Sequence, residues 1–299
     1  MIERSFLQSL IKNPYSITNL DFDIISEILE QVKEIFKDES LLLEFDLDNS
    51  EEAFVIGDIH GNLQPLIKLL DIINQEKPKL VISLGDIVDR GANQLECLIV
   101  ILAYKILNPK SFFILKGNHE TFEMNQAYGF FYDFLGKFKD PNKFNEILAV
   151  YSVLPICAIV NKSILCLHGG IPEDIEILSK LKGLKTRNID QSLMNSIGDG
   201  IFQIIWNDPK ESLRNFKGSF RGPEINFFGE EAFNKFIDAN NLKYLIRAHE
   251  CFPEGYRWFF NNKLLSIFSA ANYRGPSSNP ASYAIIRKDT LVPKTVELS

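Results

Sequence analysis

No apolar run in this chain is long enough to cross a bilayer. The longest, such as Cys97 to Ala103, fall far short of the roughly 20 residues a membrane-spanning helix needs. The opening stretch MIERSFLQSLIKN sets charges among its apolar residues and lacks the uninterrupted apolar block of a secretory leader. Export is therefore not expected, and the chain reads as cytoplasmic with no membrane partner. Cysteine is scarce. The four that occur, Cys97, Cys157, Cys166 and Cys251, form no CxxC pair, and three of them sit in or beside apolar runs. They read as buried, reduced thiols and not as disulfides or zinc ligands. An excess of positive charge is also missing: 32 Lys and Arg stand against 39 Asp and Glu, a net charge of -7. That balance disfavours non-specific binding to nucleic acid. The chain has no low-complexity linker, internal repeat or long charge block.

What is present suits a globular enzyme. Hydrophobic residues make up 45% and charged residues 24%, enough to bury a sizeable core. The first fifty residues read as mostly helical, with Ile24, Ile25, Ile28, Leu29, Val32 and Phe36 at a period near 3.6. Residues 1–50 are expected to form a helical extension packed on a single catalytic unit, 51–299. From residue 53 the pattern changes to short apolar runs that end abruptly in Gly, Asp, Asn or His: AFVIG, KLVISLG, SFFILKG, SILCLHG, KYLIRAH and LLSIFSA. Segments of helical period lie between the early ones, at Leu63 to Ile73 and Gln94 to Leu107. The first half is thus β-α-β-α and the fold class α/β. The second half, with strands expected at 155–160, 163–168, 243–248, 264–269 and 282–287, reads as a mixed sheet.

Histidine is as scarce as cysteine, and its placement is the main clue. The strand ends read GDIHG (57–61), GDIVDRG (85–91), GNHE (117–120), HGG (168–170) and RAHE (247–250). They hold all four histidines of the chain, together with Asp58, Asp86, Asp89 and Asn118. Any one of these residues alone is better explained as a helix cap or a satisfied polar group. Core packing gives no reason for all four histidines to fall at strand–loop junctions. In α/β sheets, ligands bind outside the carboxyl ends of strands. Imidazole and carboxylate together suit Zn, Fe and Mn ions, and a pair of ions needs a bridging carboxylate.

GDIHG, GDIVDRG and GNHE, in this order and spacing, resemble the signature of the phosphoprotein phosphatase family of the metallophosphoesterases. HGG, Arg221-Gly222, RAHE and SAANY (269–273) extend the likeness over most of the chain. The resemblance implies a four-layer α/β/β/α sandwich of two mixed sheets. It also implies a metal-dependent serine/threonine protein phosphatase, acting on phosphorylated protein by direct attack of a metal-bridging hydroxide, with regulatory subunits left open. Two metal ions are implied: manganese in vitro, with iron and zinc as alternatives. Asp58 and His60 would hold the first metal, Asp86 would bridge both, and Asn118, His168 and His249 would complete the second. His119 would be the general acid, oriented by Asp89. Arg90, Arg221 and Asn118 would contact phosphate oxygens, with Tyr273 lining the pocket. Glu120, Arg247 and Trp206 are expected in the supporting scaffold. These roles agree with the chemistry. A serine or threonine alkoxide leaves poorly without a proton, and the planar, permanently charged forks of Arg suit phosphate.

The alternative is a symmetrical dinucleoside-tetraphosphate hydrolase with the same dinuclear centre. GNHE and the SAANY loop favour the protein-phosphatase branch. A phosphodiesterase or nuclease fits less well, because a two-arginine clamp suits a monoester dianion and the chain is acidic. A non-catalytic module of the same fold would have lost a ligand or the general acid, and none is missing. Cys251 and Arg257 stand at Cys-x5-Arg spacing, but Glu250, Pro253 and Glu254 oppose a phosphate-wrapping loop there. Lys116, Arg274 and Pro276 depart from the family's usual residues. Lys116 is expected to alter a supporting ion pair, and Arg274 removes the cysteine that microcystin-type toxins capture.

Overall fold

The computed structural model describes residues 2–186, 191–288 and 290–298. The N-terminal apolar period becomes helices α1 (Arg4–Lys12) and α2 (Phe22–Lys37), and α2 buries Ile25, Ile28, Leu29, Val32 and Phe36 along one stripe. The segment is not helical throughout. Strand β1 (Leu42–Phe45) pairs in parallel with β5 (Cys157–Val160), so the first fifty residues also supply an edge strand to the core.

The apolar runs form β2 (Glu52–Ile56), β3 (Leu80–Ser83) and β4 (Phe112–Ile114), which lie side by side in parallel. Nearly every residue in them is buried, as strands covered on both faces require. They are linked by α3 (Leu63–Glu76) and α4 (Gln94–Leu107). Helices α5 (Phe122–Tyr128), α6 (Phe130–Phe138) and α7 (Phe144–Tyr151) follow β4. The second sheet is built from β5, β6 (Ile164–Leu167) and, further along, β10 (Tyr244–Arg247), β11 (Tyr256–Phe259) and β12 (Leu264–Ile267). Between β6 and β10 come α8 (Ile177–Leu181), α9 (Gln191–Trp206) and α10 (Glu230–Ala239). The same stretch holds a small sheet of β7 (Asp208–Pro209), β8 (Lys217–Gly218) and β9 (Asn226–Phe228).

One expected strand joins a different sheet. The run at 282–287, read as part of the second-half sheet, is β13 (Ala281–Arg287), which pairs antiparallel with β2. Both edges of β12 are already taken by β10 and β11, so β13 crosses to the free edge of β2. There it also pairs with β14 (Thr290–Val296), an edge strand that tolerates Pro293. The large sheets run β14-β13-β2-β3-β4 and β1-β5-β6-β10-β12-β11, each mixing parallel and antiparallel neighbours.

Alternation of side chains along the strands defines four layers. Val55, Ile82, Cys166, Ile246 and Ile267 fill the space between the two sheets. Phe54, Ile56, Val81 and Ile114 face α2, α3, α4 and α7 on one outer side. Leu165, Leu167 and Leu245 face α8, α9 and α10 on the other. This is the helix–sheet–sheet–helix sandwich expected from the motifs. No helix among the described residues is long and apolar enough to cross a membrane.

Candidate metal centre

Parallel pairing brings the motif loops to one end of the sandwich. Ile56 lies opposite Ser83, and Ser83 opposite Ile114, so the loops after β2, β3 and β4 start level. These loops carry Asp58 and His60, then Asp86, Asp89 and Arg90, then Asn118 and His119. The second sheet does the same: Ile246 pairs with Cys166, and the loops after β6 and β10 carry His168 and His249. Hydrogen bonds join the two sets. The His249 backbone N–H donates to Asp58 Oδ1 at 2.9 Å, and His168 Nδ1 donates to the Leu84 carbonyl at 2.9 Å.

Two features of the backbone let the loops approach so closely. Gly85, with φ +98°, is packed on Gly117: a Cβ on either would fall within 2.3 Å of the other loop's atoms. Left-handed φ values also occur at His60, Asp86, Asp89, Arg90 and His249, all within the motif loops. Glu120, buried behind the loops, accepts from the N–H groups of Asp86, Ile87 and Gly117 at 2.8–3.0 Å.

The side chains turn lone pairs toward a common centre. A backbone carbonyl only accepts, so the 2.9 Å contact of His60 Nδ1 with Val88 puts the proton on Nδ1 and leaves Nε2 facing inward. The same holds for His168. Its Nε2 lies 3.0 Å from Asn118 Oδ1, 3.1 Å from His249 Nδ1 and 3.3 Å from Asp86 Oδ2. His60 Nε2 lies 3.5 Å from Asp58 Oδ2 and 3.6 Å from Asp86 Oδ2. Asp58 Oδ2 and His249 Nε2 are buried without a hydrogen-bond partner. Buried polar atoms are nearly always paired, and an orphaned carboxylate oxygen among converging acceptors fits a cation site.

The donor set fits two ions that share Asp86. One set is Asp58, His60 and Asp86; the other is Asp86, Asn118, His168 and His249. Ligating atoms of Asp86, His168 and His249 lie within 4.8 Å of one another, as do those of His60, Asp86 and His119. Although His119 falls within reach of the first set, its Nδ1 is committed to Asp89 at 2.6 Å and its Nε2 stands 3.9 Å from Asp86 Oδ2. Asp58 Oδ2 lies 3.5 Å from His60 Nε2 and has no hydrogen-bond partner.

The electrostatics favour positive charge here. Burial disfavours protonated His60, but the neighbouring carboxylates of Asp58 and Asp86 override it and raise its pKa to about 9. Burial likewise opposes a charged His168, and Asp86 with Asp58 raises its pKa. Burial works against ionised Asp86 too, yet the imidazoles of His168, His119 and His60 hold it well below the usual carboxylate range. His249 goes the other way: burial, Arg221, His168 and Arg247 keep it neutral, as a ligand must be.

Around this centre stand the remaining expected residues. Tyr273 stacks on the His60 ring, centroids 5.0 Å apart, and burial pushes its phenol up. Arg90 is exposed, with its guanidinium 4.0 Å above the Tyr128 ring and 5.9 Å from that of Tyr273. Arg221 is held by Asp208: its Nε donates to Oδ2 at 2.5 Å, with the side chain 28% exposed. Arg247 is wholly buried and donates to the Gly169 carbonyl, Asp208 and Glu250. Trp206 meets the His249 ring edge-on at 5.7 Å.

Sequence reasoning missed Asp208, Tyr128 and Asn125. Asp208 joins Arg221 to Arg247 and lies 4.0 Å from His249 Nε2. Its only signal is its place in WNDP. Among the described residues Lys116 forms no ion pair in place of the expected one; it donates to the Tyr151 carbonyl at 3.2 Å, and burial lowers its pKa. The Cys-x5-Arg spacing carries no site. Arg257 lies on β11 over the Phe252 ring and beside Glu254, while burial pushes the Cys251 thiol up to about 11. All four cysteines are free.

A four-layer sandwich with a dinuclear donor set at its strand ends defines a metal-dependent phosphoesterase. Residues 53–253 match the model of the calcineurin-like phosphoesterases, and the chain belongs to that family. The family implies divalent metal ions, for which the two donor sets are the candidate ligands. Among solved structures, a serine/threonine phosphatase from Saccharomyces cerevisiae, described as similar to human phosphatase PP5, matches with a TM-score of 0.83. Identity is 24%, over 100% of this chain and 97% of that one. A cold-active protein-tyrosine phosphatase from a psychrophilic Shewanella species matches with a TM-score of 0.61 at 18% identity, over 88% and 84%. At these identities the likeness establishes the fold, and chemistry must be argued from the site.

Proposed function

We propose that the chain is a serine/threonine protein phosphatase of the phosphoprotein phosphatase branch, cleaving phosphate monoesters without a phosphoenzyme intermediate. The observation that carries this reading is the shared carboxylate Asp86 between two sets of inward lone pairs, beside the His119–Asp89 pair. A bound ion pair would supply Lewis acidity and activate water near neutral pH. The protein supplies the rest. His119, with Nδ1 tied to Asp89, presents Nε2 to protonate the departing serine or threonine oxygen. Arg90 is steadied by Tyr128, and Arg221 by Asp208; both offer guanidinium donors to the non-bridging oxygens. Tyr273 walls the pocket against His60. The likeness to the yeast serine/threonine phosphatase and the GNHE and SAANY strings support the serine/threonine assignment.

The test is hydrolysis by the metal-stripped protein with and without Mn²⁺. A phosphothreonine peptide, a phosphotyrosine peptide, diadenosine tetraphosphate and a phosphodiester are compared. Manganese-dependent turnover that prefers phosphothreonine is expected. A preference for the dinucleotide or for phosphotyrosine overturns the substrate assignment and leaves the metal chemistry standing.

A further inference from the structure

Helix α5 begins just after the GNHE loop, ends at Gly129 with φ +116°, and buries a single residue, Asn125. That is unusual company: Phe122, Met124 and Tyr128 on the same helix all keep some exposure, while the polar side chain is turned fully inward. Asn125 Nδ2 donates to Asp89 Oδ2 at 2.9 Å and to the His119 carbonyl at 2.7 Å. Its Oδ1 is buried and has no partner. Flipping the amide would set that oxygen against a carboxylate and a carbonyl, so the orientation is fixed by its neighbours. The fold therefore leaves one acceptor unpaired in order to put both donors where they are.

We propose that Asn125 is a positioning residue that locks the Asp89–His119 pair by bonding to both of its members. This rests on the reading of His119 as the proton donor to the leaving oxygen. Asp89 Oδ2 receives His119 Nδ1 and Asn125 together, while Oδ1 receives the Phe130 N–H at 3.1 Å. The Asp89 N–H is in turn held by Gln94 Oε1 at 2.8 Å. The carboxylate sits on a left-handed residue with φ +69°, which a missing donor would leave free to relax. Without Asn125 the carboxylate can rotate and the His119 backbone loses its tie. His119 Nε2 then no longer keeps one aim. Asn125 itself makes no bond to Arg90, Arg221 or any candidate metal ligand other than through these two residues.

The leaving group gives the readout. Variants Asn125→Leu, of the same branched shape without the amide, and Asn125→Ser, smaller and still polar, are compared with His119→Ala and wild type. The substrates are a phosphoserine peptide, whose alkoxide needs a proton, and 4-nitrophenyl phosphate, whose phenolate does not. Both Asn125 variants are expected to lose roughly 10-fold in kcat on the peptide and under about 2-fold on the aryl ester. KM and metal content stay near wild type, and His119→Ala shows the same asymmetry more strongly. Equal losses on both substrates, or no loss on either while His119→Ala remains asymmetric, overturn the proposal. If His119→Ala shows no asymmetry, the donor reading fails first and the role of Asn125 falls with it. Should the leucine variant not fold, the serine variant decides alone.

Discussion

Asp86 stands between the two donor sets. Its Oδ1 accepts the His119 N–H at 2.9 Å, and its Oδ2 faces His168 and His60 at 3.3 and 3.6 Å. Asp86→Asn is therefore expected to empty both metal positions together, which metal analysis after dialysis will check. Loss of one ion with the other retained would remove the shared role. At this scale the sequence was informative where chemistry restricts residue type: only a few side chains ligate metals, so four histidines at strand ends carry meaning. It was silent about Asn125 and Asp208. Those residues act through hydrogen bonds to partners brought close by the fold, Asp89 and Arg221, and no local spacing marks them.

Strand ends and the glycines beside them set the geometry of the loops. A methyl group at Gly117 would lie 2.2 Å from Asp86 Oδ1 and 2.7 Å from its backbone nitrogen, both on the loop that must carry the shared ligand. Gly117→Ala is expected to lower metal content sharply and to destabilise the fold by about 1–3 kcal/mol, the usual range for forced overpacking. Gly136, inside α6 with nothing within 4 Å of its would-be Cβ, is the matched contrast. Its change to alanine should leave metal content intact and raise stability by about 0.5–1 kcal/mol. Thermal unfolding with metal analysis of the two variants separates the cases, and equal behaviour would discard the close-approach argument. The strands before the motifs were legible because their apolar runs are fully buried and end sharply. β11 and β14 were not, since edge strands with exposed residues lack that contrast. The sheet membership of β13 depended on which edges were already filled, a property no single run displays.

For the molecule as a whole, the metal-stripped protein should respond to pH in a defined window. His60 is raised to about 9 in the folded state, with Asp58 and Asp86 overcoming burial, from an ordinary value near 6.5. A histidine raised on folding adds stability that is fully present below its unfolded pKa and lost as pH climbs through the folded one. His168 shifts in the same direction. The melting temperature of the stripped protein should thus fall as pH rises from about 6.5 to 9. With manganese bound, the ions take the place of those protons and the slope should flatten. Identical slopes with and without metal would contradict the placement of the site. The α/β class and the position of the centre were readable from strands and their ends. The four-layer stacking was not, because it rests on how two sheets dock and came instead from the motif resemblance.

The donors run from Asp58 to His249, and the second set takes Asn118 from one sheet and His168 with His249 from the other. No short stretch of the chain can therefore assemble that pocket by itself. During biosynthesis the ribosome will have released most of the polypeptide before β10 can deliver its histidine. Metallation would then be a late event that fastens sheets already docked, and a chelator present during refolding should leave the early rates of sheet formation unchanged.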